Sequence, residues 1–199
     1  MIEWLFLHGA REEANERLNL KNKGENSKIL DVCCGTGFNF RYLADMYPKA
    51  EKFGIDFNRY KVAHSKSEGK RFDIMVHEGD VTDLSFVDNA FDGIIITLAI
   101  TCVSEPLKAV KELARVLKHN GRLVILSEFV PHEDAKWYAR VFYNVVNFVN
   151  DHTNDFLWTD MRMPVHDILR KVKTLKMIED KHYIGKSIHL VALEKRQNG

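Results

Sequence analysis

Residues 28–40 read KILDVCCGTGFNF, an apolar run of β type that passes through Asp31, Cys33 and Cys34 into two glycines spaced one residue apart, Gly35 and Gly37. A buried strand feeding a tight glycine turn, with helical spacing resuming at Phe38, is the first half of a strand–helix–strand unit. Gly35 and Gly37 lack a Cβ, so the backbone can turn sharply and a ligand can approach it closely. The helix N-terminus behind the turn adds unpaired N–H groups and a partial positive charge. By itself the turn suits a dinucleotide, a nucleoside-type methyl donor, a metal ion, or no ligand at all.

The flanking sequence repeats that unit. Phe38 to Met46 has helical spacing and stops before Pro48, and Glu51 to Asp56 forms a second strand that ends in an acid. A polar helix follows from about Arg59 to Glu68, then a strand at Asp73 to His77, the turn EGDVTDL, and the strongly apolar FDGIIITLAI. Three consecutive isoleucines, Ile94, Ile95 and Ile96, predict burial on both faces, as in the middle of a parallel sheet covered by helices. Leu107, Val110, Leu113, Ala114 and Leu117 recur at helical spacing, Asn120-Gly121 closes that helix, and RLVILSEFV is another strand. Alternating strand and helix predict an α/β doubly wound sheet.

Upstream, residues 3 to 19 read as a short apolar entry and an amphipathic helix ending near Asn19, followed by the polar loop KNKGENS. Beyond Pro131 the alternation stops. DAKWYARVFYNVVNFVN is a helix, DHTND a loop, and Val165 to Lys173 another helix. The runs TLKMIEDKHYI and KSIHLVALEK, joined through Gly185, are expected to pair as antiparallel strands.

The 199 residues suit one compact domain, and a formal charge of +1 gives no electrostatic case for nucleic acid. Three cysteines, two of them adjacent, fit a reduced cytoplasmic setting. Neither they nor the nine scattered histidines show zinc-ligand spacing, so no metal is expected. The opening MIEWLFLHGA lacks the basic leader of a signal peptide, and no apolar run is long enough to span a membrane. Any membrane contact would be peripheral.

In a doubly wound sheet, ligands lie outside the carboxyl ends of the strands near the point where strand order reverses. A dinucleotide turn wants a third glycine three residues after the second, and Phe40 stands there. Asp56 ends the second strand, 19 residues past Gly37 (56 − 37), where an acid accepts ribose hydroxyls. Gly79, Asp80 and Val81 close the third strand, where an acid can accept from an adenine amine. An acid after each of three successive strands favours a nucleoside joined to an amino acid, with Asp31 attracting an α-ammonium and turn amides serving the α-carboxylate.

LDVCCGTG, GIDFN, EGDVTDLSF, FDGIIITLAIT, AVKELARVLKHNGRLVILSE and the terminal strand pair, in that order, resemble the class I S-adenosylmethionine-dependent methyltransferases. The resemblance is nearest to their small-molecule branch of ubiquinone/menaquinone C-methyltransferases. It implies a Rossmann-like seven-stranded sheet of order 3-2-1-4-5-7-6 with an antiparallel last strand, and S-adenosyl-L-methionine as cofactor. It further implies that Asp31, Gly35 and Gly37 surround the methionine part, with Cys33 among the cofactor-binding residues, that Asp56 holds the ribose, and that Phe57 lies against the adenine. Asp80 would bind the adenine amine with Val81 packed nearby, and Thr97 and Leu98 would meet the sulfonium end. Cys102 falls near the methyl group.

Methyl transfer is an in-line displacement that relies mainly on positioning and exclusion of water. A base is required only where the acceptor must lose a proton, and His8 and His132 are the candidates, though each reads first as a surface histidine. Residues 131–173 are expected to form a helical substrate cap, residues 1–20 a helical lid, residues 28–130 the cofactor core and residues 174–195 the closing strand pair. Trp4, Phe6, Trp137, Tyr138, Phe142 and Trp158 offer aromatic surface for a small lipophilic or aromatic acceptor, a quinone precursor or a phospholipid amine. Two other readings are an NAD-dependent oxidoreductase, which Phe40 and the lack of a Tyr-x3-Lys pair disfavour, and a non-catalytic cofactor- or partner-binding module.

Overall fold

A computed structural model describes residues 2–20, 26–128, 164–183 and 188–197, with six helical positions between 137 and 145, and side chains of the first helix from His8 onward. The strands are β1 (Lys28–Val32), β2 (Glu51–Asp56), β3 (Met75–Glu78), β4 (Phe91–Thr97), β5 (Leu117–Glu128), β6 (Leu175–Tyr183) and β7 (Ile188–Lys195). The helices are α1 (Ile2–Glu16), α2 (Phe40–Met46), α3 (Arg59–Phe72), α4 (Pro106–Val116) and α5 (Val165–Lys171). The strands form one seven-stranded sheet of order β3-β2-β1-β4-β5-β7-β6. β1 to β5 run parallel, and β7 pairs antiparallel with both β5 and β6. Strand order reverses between β1 and β4, which opens a crevice at their carboxyl ends.

The isoleucine run explains the layering. Ile94 and Ile96 enter a core with Leu113 and Ala114 of α4 and Ile168 and Leu169 of α5. Ile95 points to the opposite core, with Ala10 and Ala14 of α1, Leu43 of α2 and Val62 of α3. Alternation along one strand therefore feeds two helical layers. Gly93 in β4 is small for a packing reason: a Cβ there would meet Leu20 Cδ1 at 2.9 Å and Leu18 Cδ2 at 3.0 Å.

Several boundaries differ from the sequence reading. α4 ends at Val116, not at Asn120-Gly121, because Leu117 is already opposite Phe91 in the sheet. Residues 118–121 then fold back before Arg122 pairs with Gly93, with Asn120 at φ 58°. At Gly121 a Cβ would lie 2.7 Å from the Lys118 carbonyl oxygen, so the glycine serves this fold-back and not a helix stop. The buried Lys195 Nζ donates to the Leu117 carbonyl at 2.7 Å and the Arg115 carbonyl at 3.3 Å, taking up acceptors freed where α4 breaks off. α2 starts at Phe40, after a turn through residues 35–39, and not at Phe38. α3 extends to Phe72, and Asp73 caps it at φ 55°, so β3 begins at Met75 and not at Asp73.

α1 is fastened to the far edge of the sheet. Glu13 accepts from Lys181 Nζ at 2.7 Å and from the Tyr183 hydroxyl at 2.6 Å, while Arg17 Nε donates to Glu179 at 2.7 Å. Among the described residues no helix is long and apolar enough to cross a membrane.

Candidate cofactor-binding site

The glycine turn adopts the backbone that its composition permits. Gly35 has φ 58° and Gly37 φ 89°, in the left-handed region. A Cβ on Gly35 would meet nothing within 4 Å, so its free face is open to a ligand. A Cβ on Gly37 would lie 2.7 Å from Phe40 Cδ2, and one on Gly54 of β2 would lie 2.9 Å from Phe40 Cζ. The fully buried Phe40 ring therefore fills the space that two glycines leave, taking over the helix–strand packing that a third glycine serves in dinucleotide turns.

The turn is held to β2 by backbone and carboxylate. Cys34 N–H donates to the Ile55 carbonyl at 2.9 Å, Gly35 N–H to Asp56 Oδ2 at 2.9 Å, and Asn58 N–H to Asp56 Oδ1 at 2.9 Å. Asp56 thus ties the glycine turn to the start of α3, and each oxygen keeps acceptor capacity.

A cavity of about 560 Å³ opens at these strand ends. Nine of the eleven residues expected around a cofactor line it: Cys33, Gly35, Asp56, Phe57, Asp80, Val81, Thr97, Leu98 and Cys102. Phe57 stands 73% exposed at its edge, a ring face free to take a flat ligand. Asp80 Oδ1 accepts from Thr82 N–H at 2.8 Å, which orders the turn after β3. Leu98, at φ 52°, is fixed by its N–H on the Leu126 carbonyl.

The other two lie off the lining. Gly37 faces a neighbouring groove of about 540 Å³ that shares Arg11, Thr36 and Phe38 with the cavity. Asp31 is fully buried behind Asn39, whose amide donates to Asp31 Oδ1 at 3.3 Å and to Thr97 Oγ1 at 2.9 Å. Arg11 of α1 completes this polar cluster, donating to Thr97 Oγ1 at 3.0 Å and to Asn39 Oδ1 at 3.4 Å. Burial pushes the Asp31 carboxyl up to about 7, against the opposing influence of the Asn39 hydrogen bond and the Arg11 charge. Its Oδ2 is buried with no hydrogen-bond partner, an acceptor that an ammonium group would satisfy. Arg11 and Asn39 were not singled out from the sequence. A charge on a helix flank and an asparagine before a helix carry no distinguishing signal in sequence.

The remaining candidates are elsewhere. Burial pushes the Cys33 thiol up to about 12, with Asp56 and Asp31 adding to it, and raises Cys34 further, so neither is a thiolate. His8 is not a solvated surface group: it lies in the adjoining groove, half-buried, with Nδ1 2.7 Å from the Tyr42 hydroxyl and Nε2 2.8 Å from Arg41. Trp137 and Tyr138 are exposed and meet edge to face at 6.1 Å. His132, Phe142 and Trp158, and the side chains of Trp4 and Phe6, lie outside the described residues.

Residues 30–125 match the family model described as a methyltransferase domain. A demethylmenaquinone methyltransferase of Staphylococcus aureus is 38% identical over 110 residues, 54% of this chain and 45% of that protein. The chain therefore spans about half the length of the curated relatives it matches. Among solved structures, the YcgJ protein of Bacillus subtilis superposes with a TM-score of 0.72 at 17% identity, covering 96% of this chain and 100% of that one. The cyclase SpnF does so with a TM-score of 0.71 at 15% identity, covering 96% and 82%. The chain thus has the fold of these solved structures, and residues 30–125 are similar to a methyltransferase domain.

Proposed function

We propose that this chain transfers the methyl group of S-adenosyl-L-methionine to a small, lipophilic or aromatic acceptor of the quinone-precursor class. The observation that carries the reading is the cavity at the sheet reversal, which joins acids from β2 and β3 to the Arg11–Asn39–Thr97–Asp31 cluster. One end suits a nucleoside and the other an amino acid. The acceptor class is supported by the likeness to a demethylmenaquinone methyltransferase over half the chain.

The cofactor's sulfonium supplies an electrophilic methyl group. Asp56 offers its free lone pairs to both ribose hydroxyls, and Asp80 offers Oδ2 to the adenine amine while Phe57 covers the ring. At the other end Asp31, set behind Asn39, would balance the charge of the ammonium, and Arg11 with the glycine-turn amides would hold the carboxylate. Thr97 and Leu98 border the reacting end. The described lining holds no histidine, and burial keeps the Cys33 and Cys34 thiols protonated. The residues thus act by orienting the partners and excluding water, the principal terms for an in-line displacement.

Calorimetric binding of S-adenosylhomocysteine, with NAD as the competing candidate, tests the site. Asp56→Ala and Asp80→Ala should each weaken binding tenfold or more, and unchanged affinity in both sinks the assignment. A labelled-methyl assay against demethylated quinone and phospholipid fractions tests the reaction. Cofactor binding without label transfer to any fraction refutes the activity.

A further inference from the structure

The closing strand pair carries a histidine and aspartate cluster unconnected with the cofactor cavity. His182 and His189 are cross-strand partners in β6 and β7, and Asp180 lies two residues before His182, on the same face of β6. α5 places His166 over them. His166 Nε2 is 2.8 Å from Asp180 Oδ2, His189 Nδ1 is 3.0 Å from Asp180 Oδ1, and His182 Nε2 is 3.3 Å from that same oxygen. One donor atom from each of His166, Asp180 and His189 lies within 4.8 Å of the others.

We propose that His166, Asp180 and His189 bind a divalent transition metal of the zinc type, with the His182 ring packed against His189 beside them, and that the ion clamps α5 onto the β6–β7 pair. Ligand bonds of about 2.0–2.2 Å in a tetrahedron set neighbouring ligand atoms about 3.3 Å apart. The nitrogen–oxygen contacts of 2.8 and 3.0 Å lie near that value, and with all three ligand atoms within 4.8 Å of one another the set closes on one ion by side-chain movements of no more than about 1.5 Å. Two imidazoles and one carboxylate suit zinc, cobalt and nickel, and do not suit the all-oxygen ions calcium and magnesium. His189 is 3% exposed and points its Nδ1 at Asp180, so one of the ligand atoms is held inside the fold. The cluster was invisible as a motif because residues 166, 180, 182 and 189 have no zinc-ligand spacing, and only the antiparallel register and α5 gather them.

The test uses untagged full-length chain, freed of metal with a chelator and titrated with Co2+. The expected result is one equivalent bound, with the intense visible absorption of a four- or five-coordinate ion, bleached by added Zn2+. Zn2+ should also raise Tm. His166→Gln lies on a half-exposed position of α5, so it should fold, and it should weaken Co2+ binding tenfold or more. Asp180→Asn should abolish the spectrum. S-adenosylhomocysteine binding should be unchanged in the His166→Gln variant, which separates this site from the cofactor cavity. Absence of a cobalt spectrum in the wild type, or the same spectrum in both variants, overturns the proposal and leaves a hydrogen-bonded cluster.

Discussion

Asp31→Asn isolates the cost of a buried carboxyl beneath the glycine turn. Asp31 has an ordinary value of 3.8 and is pushed up to about 7 by full burial. That difference corresponds to about 4 kcal/mol against the folded state once both states are ionised. Because the folded value is raised, the sign is opposite to that of a salt-bridged acid. Below about pH 4 both states hold the proton and no penalty exists. As pH rises towards 7 the unfolded chain ionises first, so stability falls by about 1.4 kcal/mol per pH step, and above about 7 the penalty is constant. The asparagine leaves a buried amide where Oδ2 is now unpartnered, at a cost of about 1–3 kcal/mol that does not vary with pH. The informative quantity is therefore the change in the difference between the two proteins. Glu13, Glu112 and Asp180, whose values are lowered, gain stability as pH rises and cancel in that comparison. Urea unfolding of both proteins at about pH 5 and about pH 8 should show the balance moving towards the variant by about 2–3 kcal/mol. A movement below about half a kcal/mol, or one of opposite sign, refutes the reasoning. Saturating S-adenosylhomocysteine should shrink the effect in the wild type, since an ammonium beside Asp31 restores its ordinary acidity.

Two packing predictions follow from the same region and from the end of α4. Gly54→Ala should destabilise by about 1–3 kcal/mol, because its Cβ would meet Phe40 Cζ at 2.9 Å and Cys34 Sγ at 3.2 Å; adding Phe40→Leu should restore part of the loss, measured as a double-mutant cycle in urea. Lys195→Met keeps the aliphatic stem but strands the Leu117 carbonyl, and should cost about 1–3 kcal/mol in chemical denaturation. Equal stability of the methionine variant would show that Nζ contributes no net stabilisation there.

Phe40 illustrates both how much the sequence disclosed and where it stopped. Its identity argued against a dinucleotide turn, and the alternating strand and helix pattern, the doubled burial of Ile94 to Ile96 and the antiparallel closing pair were all legible in local spacing. What Phe40 does was not legible, because Gly54 is 14 residues away (54 − 40) and the fit between ring and glycines exists only once β1 and β2 pair. Leu117 misled for the same reason. Its place in the apolar helical stripe is real, but pairing with Phe91 overrides local spacing. Arg11 and Asn39 were missed because a charge on a helix flank and an asparagine before a helix are both ordinary. They became site residues only when α1 crossed the carboxyl ends of β1 and β4.

Asp56 shows why the ligand-binding and structural roles of this site cannot be separated by truncation alone. Both of its oxygens already accept backbone N–H groups, from Gly35 and Asn58, so the carboxylate positions the glycine turn whether or not a ribose is bound. Asp56→Ala would remove the ribose acceptor and free the turn at once, and lost affinity would have two causes. Asp56→Asn divides them. One amide oxygen can still hold Gly35 or Asn58, while the NH2 group replaces an acceptor by a donor facing one of them. If Asp56 contributes chiefly as a ribose acceptor, the asparagine variant should retain near-wild-type Tm without ligand and lose most of the affinity for S-adenosylhomocysteine. If it contributes chiefly by bracing the turn, Tm and affinity should fall together, and binding of adenosine, which lacks the amino-acid end held by the turn, should fall less than that of S-adenosylhomocysteine. Acceptor capacity favours a shared role, because each oxygen takes one backbone N–H and retains a second lone pair. An intermediate loss of Tm with a larger loss of affinity is accordingly the expected outcome, and unchanged affinity would remove Asp56 from the site.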